Sequence, residues 1–326
     1  MRREELEKIL NSFKEEKIAV VGDIMLDRFR YGPDERISPE EPGTVVIQEK
    51  SVEEKLGGAG NVAMNIISLG GSCYFFGVVG EDDYGTRLEK LLNASGIERC
   101  ILLKDKRRTT VKERIIATRE NRKRQVIRID REDSYDINFE ISCKILKALK
   151  QNINNIDGII LQDYGKGLLT DYLIDNIVNE MNLKGIPIFV DPKNKLVKNA
   201  SIFKPNKREL SRFSGIEDIE GACKKLFKEI NPEYLVVTAG DEGIYTYNQQ
   251  GLRRIPTVAR DVVDVMGAGD TVIASLALSY VSKKNIYDAC DIANHAASVA
   301  VGKIGTATVT IGEIKKSFLD NGIYGG

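Results

Sequence analysis

The sequence predicts an α/β fold, a doubly wound and mostly parallel sheet flanked by helices, with a small antiparallel β-sheet set against it as a lid. Three observations lead there. Short apolar runs such as Ile18-Ala19-Val20-Val21, Ile159-Ile160-Leu161 and Leu235-Val236-Val237 suit strands buried on both faces. Helical stretches separate these runs, which calls for right-handed βαβ crossovers. Other segments, Thr44–Gln48, Thr109–Ala117 and Gln125–Asp130, alternate polar and apolar residues as a half-exposed antiparallel sheet does.

An opening helix, about Glu4 to Lys14, leads into the apolar run ending in Gly22-Asp23, which puts a carboxylate at the C-terminal end of a strand, where open α/β sheets bind ligands. Asp27 follows four residues on. Both carboxylates can accept hydrogen bonds from sugar hydroxyls; the plainer role for Asp23 is to cap the turn. Residues of about 28–55 and 108–130 are assigned to the lid, whose apolar face can close over substrate or pair with the same sheet of a second chain. That region is rich in basic residues from Lys104 to Arg128. Arg114 and Arg128 lie within strand patterns and are the anion-binding candidates, whereas Arg119 to Arg124 read as a solvated hairpin tip. Between the lid segments, Gly57-Gly58-Ala59-Gly60-Asn61 precedes a helix closed by Gly70-Gly71. Its glycines permit close approach, and the Asn61 amide can donate and accept.

Strand and helix then alternate: a strand at Cys73–Val79, helices near Thr86–Ala94 and Phe139–Lys150, strands at Asp157–Tyr164, Ile186–Lys193, Ile202–Asn206 and Tyr234–Thr238, and a terminal hairpin at Gly243–Asn248. In such a sheet the polar strand ends Asp23, Asp163, Asp191, Asn206 and Thr238 share one crevice. Asn206 and Glu209 fall on one helical face, which suits hydrated Mg²⁺ beside a triphosphate and equally a capping box. Thr238 to Gly243 fits a phosphate cradle or a strand-turn-strand connection.

Asp264-Val265-Met266-Gly267-Ala268-Gly269-Asp270-Thr271 opens an apolar helix. Its unpaired N–H groups and the helix dipole form an anion site, and Asp270 there can take a proton from an attacking hydroxyl or can simply cap the helix.

Composition excludes several classes. The chain has 326 residues, 48 Lys plus Arg and 48 Asp plus Glu, so no overall field points to nucleic acid or membrane. Five scattered cysteines without CxxC spacing indicate free thiols rather than disulfides or zinc, and one histidine, His295 in an Ala-rich helix, removes histidine-based triads and is assigned a structural role. Neither GxxxxGKS/T nor GxGxxG after the first strand occurs, which argues against P-loop and dinucleotide enzymes.

Together, Gly57 to Asn61, Lys204-Pro205-Asn206-Lys207-Arg208-Glu209 and the DxxGAGD pattern of Asp264 to Asp270 resemble the ribokinase-like (PfkB) carbohydrate kinases over nearly the whole chain. Val21–Arg28, Tyr31–Pro33, Arg36–Glu40, Asn61–Asn65, Asp163–Gly167 and Val301–Thr306 are similar to the D-glycero-D-manno-heptose 7-phosphate kinase branch. The resemblance implies an ATP- and Mg²⁺-dependent enzyme that phosphorylates the anomeric hydroxyl of that sugar to the 1,7-bisphosphate, on the route to ADP-heptose for lipopolysaccharide or surface glycans. It implies Asp270 as base and the amides of Gly267, Ala268 and Gly269 as anion hole. Asp23, Asp27, Gly57, Gly58 and Asn61 would hold the sugar, with Lys166, Arg114 and Arg128 at its phosphate. Asn206 and Glu209 would serve Mg²⁺ and phosphate, Thr238, Gly240 and Asn294 the nucleotide, and Asp264 a loop where many relatives bind a monovalent cation such as K⁺.

Two departures stand out: Met266 replaces the usual Thr, which puts cation binding in question, and Gly60 replaces a common Ala. In many bacteria this kinase is fused to a C-terminal nucleotidyltransferase, whose HxGH site is missing here. The expectation is therefore a stand-alone kinase domain over residues 1–326, cytoplasmic and homodimeric through the lid, binding a sugar phosphate and ATP but neither nucleic acid nor membrane. The alternatives are a kinase for another sugar or sugar phosphate, such as fructose phosphate or ribose, and a non-catalytic sugar- or nucleotide-binding regulator, which the presence of both Asp270 and Glu209 disfavours.

Overall fold

Period-two burial on both faces builds the main sheet. In Lys17–Gly22, Ile18 and Val20 enter one hydrophobic core while Ala19 and Val21 enter the other, and all four are fully buried. The computed structural model describes residues 1–322 except Glu35, Pro42, Glu120, Asn121, Arg260, Asp261 and Ile304. The hairpin-tip residues Glu120 and Asn121, and Ile304 of the Val301–Thr306 segment, therefore lie outside the described residues.

Among the described residues nine strands lie side by side in the order Gly251–Ile255, Ile244–Asn248, Tyr234–Thr238, Ile202–Phe203, Ile188–Asp191, Gly158–Gln162, Lys17–Gly22, Ser72–Gly80 and Arg99–Asp105. All neighbours are parallel except for the hairpin formed by the first two and its junction with Tyr234–Thr238. The chain winds outward from Lys17–Gly22 through Ser72–Gly80 to Arg99–Asp105, then returns to Gly158–Gln162 and winds the other way. The strand order thus reverses between Lys17–Gly22 and Gly158–Gln162, which opens a crevice at their C-terminal ends. One face of the sheet carries helices Arg3–Ser12, Ala59–Ser68, Asp83–Asn93, Ala268–Lys283, Ile286–Val301 and Ile311–Asp320; the other carries Phe139–Asn152, Asp171–Lys184, Lys207–Ser214 and Ile219–Ile230.

The lid is a four-stranded sheet in the order Ser51–Gly58, Ile24–Gly32, Val111–Arg119 and Arg122–Arg131. Its outer pairs are antiparallel, and its central pair is parallel because the chain enters both inner strands from the main domain side. The lid begins earlier than position 28, since only Asp23 separates the core strand from Ile24–Gly32. Thr44–Gln48 does not join it: Val45–Val46 instead pairs with Arg36–Ile37 in a separate two-stranded ribbon. Arg99–Asp105 adds an edge strand beyond those expected; its apolar run Cys100-Ile101-Leu102-Leu103 is only partly buried, because one flank of an edge strand is solvated.

His295 is fully buried, stacked on Phe318 at 3.6 Å with Nδ1 at 2.8 Å from Ser317 Oγ, and burial pushes its pKa down to about 4. It is a neutral core residue. Among the described residues no helix is long and apolar enough to cross a membrane.

Candidate active site

The helix Ala268–Lys283 is apolar nearly all round, so it is buried among its neighbours and its first turn is held at the crevice, with Asp270 buried and Gly269 open to solvent. Gly267 precedes it with φ +77°, a conformation that side chains rarely adopt, and a Cβ there would lie 2.9 Å from Asn61 Nδ2. The N–H groups of Gly267 and Gly269 make no hydrogen bond among the described residues, whereas that of Ala268 donates to Val265 O at 3.3 Å. Of the three amides expected in the anion hole, Ala268's is therefore turned toward its own loop.

Asp270 does not cap the helix. Its Oδ2 accepts from Asn61 Nδ2 at 2.7 Å and its Oδ1 from the Tyr164 hydroxyl at 2.6 Å, joining the helix start, the glycine-rich segment and the loop after Gly158–Gln162. Burial pushes the Asp270 carboxyl up to about 7; the two hydrogen bonds and Lys204 pull it down, while Asp191 adds to the rise. A carboxylate tuned to that range can both receive and return a proton near neutrality.

Beside Asp270 lies a cavity of about 680 Å³ lined by the strand ends Gln162, Asp191, Lys204 and Thr238 as well as Gly267 to Asp270. Lys204 is almost fully buried and pairs with Asp191 at 2.9 Å, while Gln162 Nε2 donates to the other Asp191 oxygen at 3.2 Å. A Cβ on Gly269 would sit 4.0 Å from Lys204 Nζ, so the lysine flanks the open amides. Asn206, Glu209, Gly240 and Asn294 line the same cavity. Asn206 and Glu209 form a complete capping box on Lys207–Ser214, with Lys193 Nζ 3.6 Å from Glu209 Oε1, and Gly240 opens a short turn between strands. In both places the plainer local role is realised, and the cavity wall is built from it. Asn294 Nδ2 donates to Pro256 O at 2.7 Å.

On the lid side Asp23 is nearly inaccessible and accepts from the backbone N–H groups of Tyr164, Lys166 and Leu168 at 3.0–3.1 Å. Burial raises its pKa against those three bonds. Asp23 thus anchors the Tyr164 loop, a task invisible in a strand-end carboxylate until the loop's position is known. Gly57 and Gly58 finish a lid strand and run directly into Ala59–Ser68; a Cβ on Gly57 would meet Asp27 Oδ2 at 2.5 Å. Asp27 pairs with Arg114 at 2.6 Å, both buried. Arg128 pairs with Asp130 at 2.8 Å, and Lys166 with Glu132 at 2.8 Å. None of the three basic residues predicted for a phosphate is without a carboxylate. Asp264 ties down its loop, accepting from Met266 N at 2.9 Å and Gly305 N at 2.9 Å.

The family profile described as pfkB family carbohydrate kinase matches residues 15–311. The chain belongs to the pfkB family of carbohydrate kinases. It is 40% identical over 312 residues to the bifunctional protein HldE of Campylobacter curvus, a match covering 93% of this chain and 65% of that protein. Against the bifunctional protein HldE of a Nitratiruptor species it is 41% identical over 307 residues, 92% of this chain and 64% of that one. The chain thus spans less than two thirds of the length of these curated relatives. Among solved structures, phosphofructokinase-2 from Escherichia coli in complex with potassium superposes with a TM-score of 0.75 at 18% identity, covering 94% of this chain and 98% of that one. Arabidopsis thaliana ribokinase complexed with ribose and ATP superposes at 0.68 and 21% identity, covering 93% and 98%. Both show the ribokinase-like fold.

In this member of the family the fold brings to the candidate site two residues to which the sequence alone attached no role, Tyr164 and Lys204. Each stood inside a quoted motif, but a tyrosine after a strand and a lysine two residues before Asn206 carry no chemistry until the fold brings them to Asp270 and Gly269. Among the described residues no group of three or more His, Cys, Asp or Glu stands ready to hold a metal.

Proposed function

We propose that this carbohydrate kinase transfers the γ-phosphoryl group of ATP to the anomeric hydroxyl of D-glycero-D-manno-heptose 7-phosphate, in the cytoplasm and on the route to ADP-heptose. The observation that carries the chemistry is Asp270: a buried carboxylate of pKa about 7, beside the open amides of Gly267 and Gly269 and next to Lys204. The motifs shared with the heptose kinase branch and the relationship to the HldE proteins support the choice of sugar.

In this mechanism the sugar hydroxyl takes over one of the hydrogen-bond positions on Asp270, with Asn61 holding the other oxygen. ATP lies in the cavity against Thr238, Gly240 and Asn294, with its terminal phosphoryl group at the amides and Lys204. Positioning and neutralisation of charge do most of the work in phosphoryl transfer, and Asp270 receives the proton as the new bond forms. Closure of the lid excludes water and so limits hydrolysis of ATP. The protein residues fit a hydrated Mg²⁺: the Glu209 carboxylate is among those that line the cavity, and this ion favours one or two carboxylates together with water and phosphate oxygens over a cage of side chains. When bound with ATP it neutralises phosphate charge. A monovalent cation fits less well, because both Asp264 oxygens already accept amide hydrogen bonds and Met266 brings no hydroxyl.

The test is ADP release from purified protein with ATP and Mg²⁺ across a panel of sugars and sugar phosphates. Turnover with heptose 7-phosphate in clear preference to fructose phosphate and ribose is the expected result. Turnover confined to another sugar sinks the substrate assignment and keeps the mechanism.

The lid also supports a homodimer in this reading. Its outer face exposes Val126, Ile127 and Ile129 at 39–53%, an apolar strip on a sheet that solvent does not favour. Sedimentation should show a dimer for the wild type and a monomer for Ile127→Asp; an unchanged sedimentation coefficient places the interface elsewhere.

A further inference from the structure

The lid face turned toward the site carries an imbalance of charge. Strand register places Lys55, Glu53, Asp27, Lys112, Arg114, Arg128 and Asp130 on that one face. Lys55 pairs with Glu53 at 3.0 Å, Arg114 with Asp27 at 2.6 Å and Arg128 with Asp130 at 2.8 Å. Two cations of this face, Lys112 and Lys123, are left over; Lys123 lies over the Tyr31 ring at 4.8 Å, near the hairpin tip, so Lys112 is the one at the site. Among the described residues it makes no ion pair, and its Nζ instead lies 5.5 Å from the centre of the Tyr164 ring, whose hydroxyl donates to Asp270. Beside it, Arg114 keeps a buried Nε–H without an acceptor. Burial disfavours the charged form of Lys112, with Arg128 and Arg114 acting the same way and Asp27 opposing them.

We infer that Lys112 is the specificity-determining residue of the lid, binding the phosphoryl group that the sugar substrate carries remote from its reacting hydroxyl. Recruiting Arg114 for that task would leave Asp27 buried without its counter-charge, and recruiting Arg128 or Lys166 would break existing ion pairs. Lys112 gives up only a contact with a ring face. Its ammonium is a compact charge on a flexible stem that can swing from the Tyr164 ring to a phosphate beside it. The inference rests on the reading of the substrate as a sugar phosphate.

Kinetics of Lys112→Met and Lys112→Arg test it, with melting temperatures as a check on folding. For the sugar phosphate, Lys112→Met should raise KM by about 10- to 100-fold, the effect of losing one hydrogen bond to a charged group, with KM for ATP unchanged. Lys112→Arg, which keeps the charge, should recover most of that loss. In the wild type, sugar phosphate should protect Lys112 from acylation read by mass spectrometry, and a sugar lacking the phosphoryl group should not, which gives a readout independent of how the variants fold. An unchanged KM in Lys112→Met, or absence of protection, overturns the role of Lys112 while leaving the substrate reading in place. A wild-type enzyme that turns over only unphosphorylated sugars overturns both.

Discussion

Asp270→Asn lowers kcat by about 10²- to 10⁴-fold, the range for losing a general base, and leaves ATP binding near its wild-type strength. The change is nearly isosteric. An amide can accept from Asn61 and donate to the Tyr164 oxygen, so both hydrogen bonds of the carboxylate are preserved in outline while the proton acceptor is gone. In the wild type, kcat/KM should rise with pH and level off above about 7, because the base must be ionised to act and burial holds its pKa there. Tyr164→Phe removes a bond that lowers that pKa, so the rising limb should move to higher pH. A profile that is flat through neutrality, or an Asp270→Asn enzyme within tenfold of the wild type, removes Asp270 from the mechanism.

The same shift has a consequence for stability, opposite in sign to that of a salt-bridged carboxylate. The folded-state pKa lies above the ordinary 3.8, so the native protein binds more protons than the unfolded chain between about pH 4 and 7. Stability falls as pH rises through that window, by up to about 4 kcal/mol from this one group. Asp270→Asn should therefore melt at a higher temperature than the wild type at pH 8, with the difference vanishing toward pH 4. Retaining a charged group in a dry turn is a cost in stability that the reaction requires.

Arg114→Ala should destabilise the protein by about 3–5 kcal/mol, the cost of leaving a buried charge without its partner. Asp27 and Arg114 are 3% and 4% exposed, the guanidinium also lies over the Phe29 ring at 5.1 Å, and its Nη1 donates to Lys112 O at 3.2 Å. The residue holds the two inner strands of the lid together. Urea unfolding of Arg114→Ala, Asp27→Leu and the combined Asp27→Leu/Arg114→Met variant separates the roles. The combined variant should recover most of the stability lost by Arg114→Ala, since two apolar side chains of similar volume replace the pair. If Arg114→Ala unfolds at the wild-type urea concentration and only KM for the sugar changes, Arg114 is a ligand rather than a strut.

The sequence by itself determined the layered α/β architecture, because runs apolar at every position are stable only between two layers of helices, and alternating runs only with one face wet. It also placed Asp270 at the start of a buried helix and gathered the polar strand ends other than Asp23 into one crevice, since both follow from local pattern and from the rule for parallel sheets. Tertiary structure decided the rest. Whether a charged residue meets a ligand or a partner depends on what lies across a strand or a loop: Arg114 met Asp27, Arg128 met Asp130, Lys166 met Glu132, and Asp23 met three backbone amides. The lid strands Ile24–Gly32 and Ser51–Gly58 were likewise hidden, because they join the core strand and a helix with hardly an intervening turn. Periodicity records which face of an element is buried. It contains no information on which charges face each other across a gap of a few ångströms, and that pairing separates Lys112 from its neighbours.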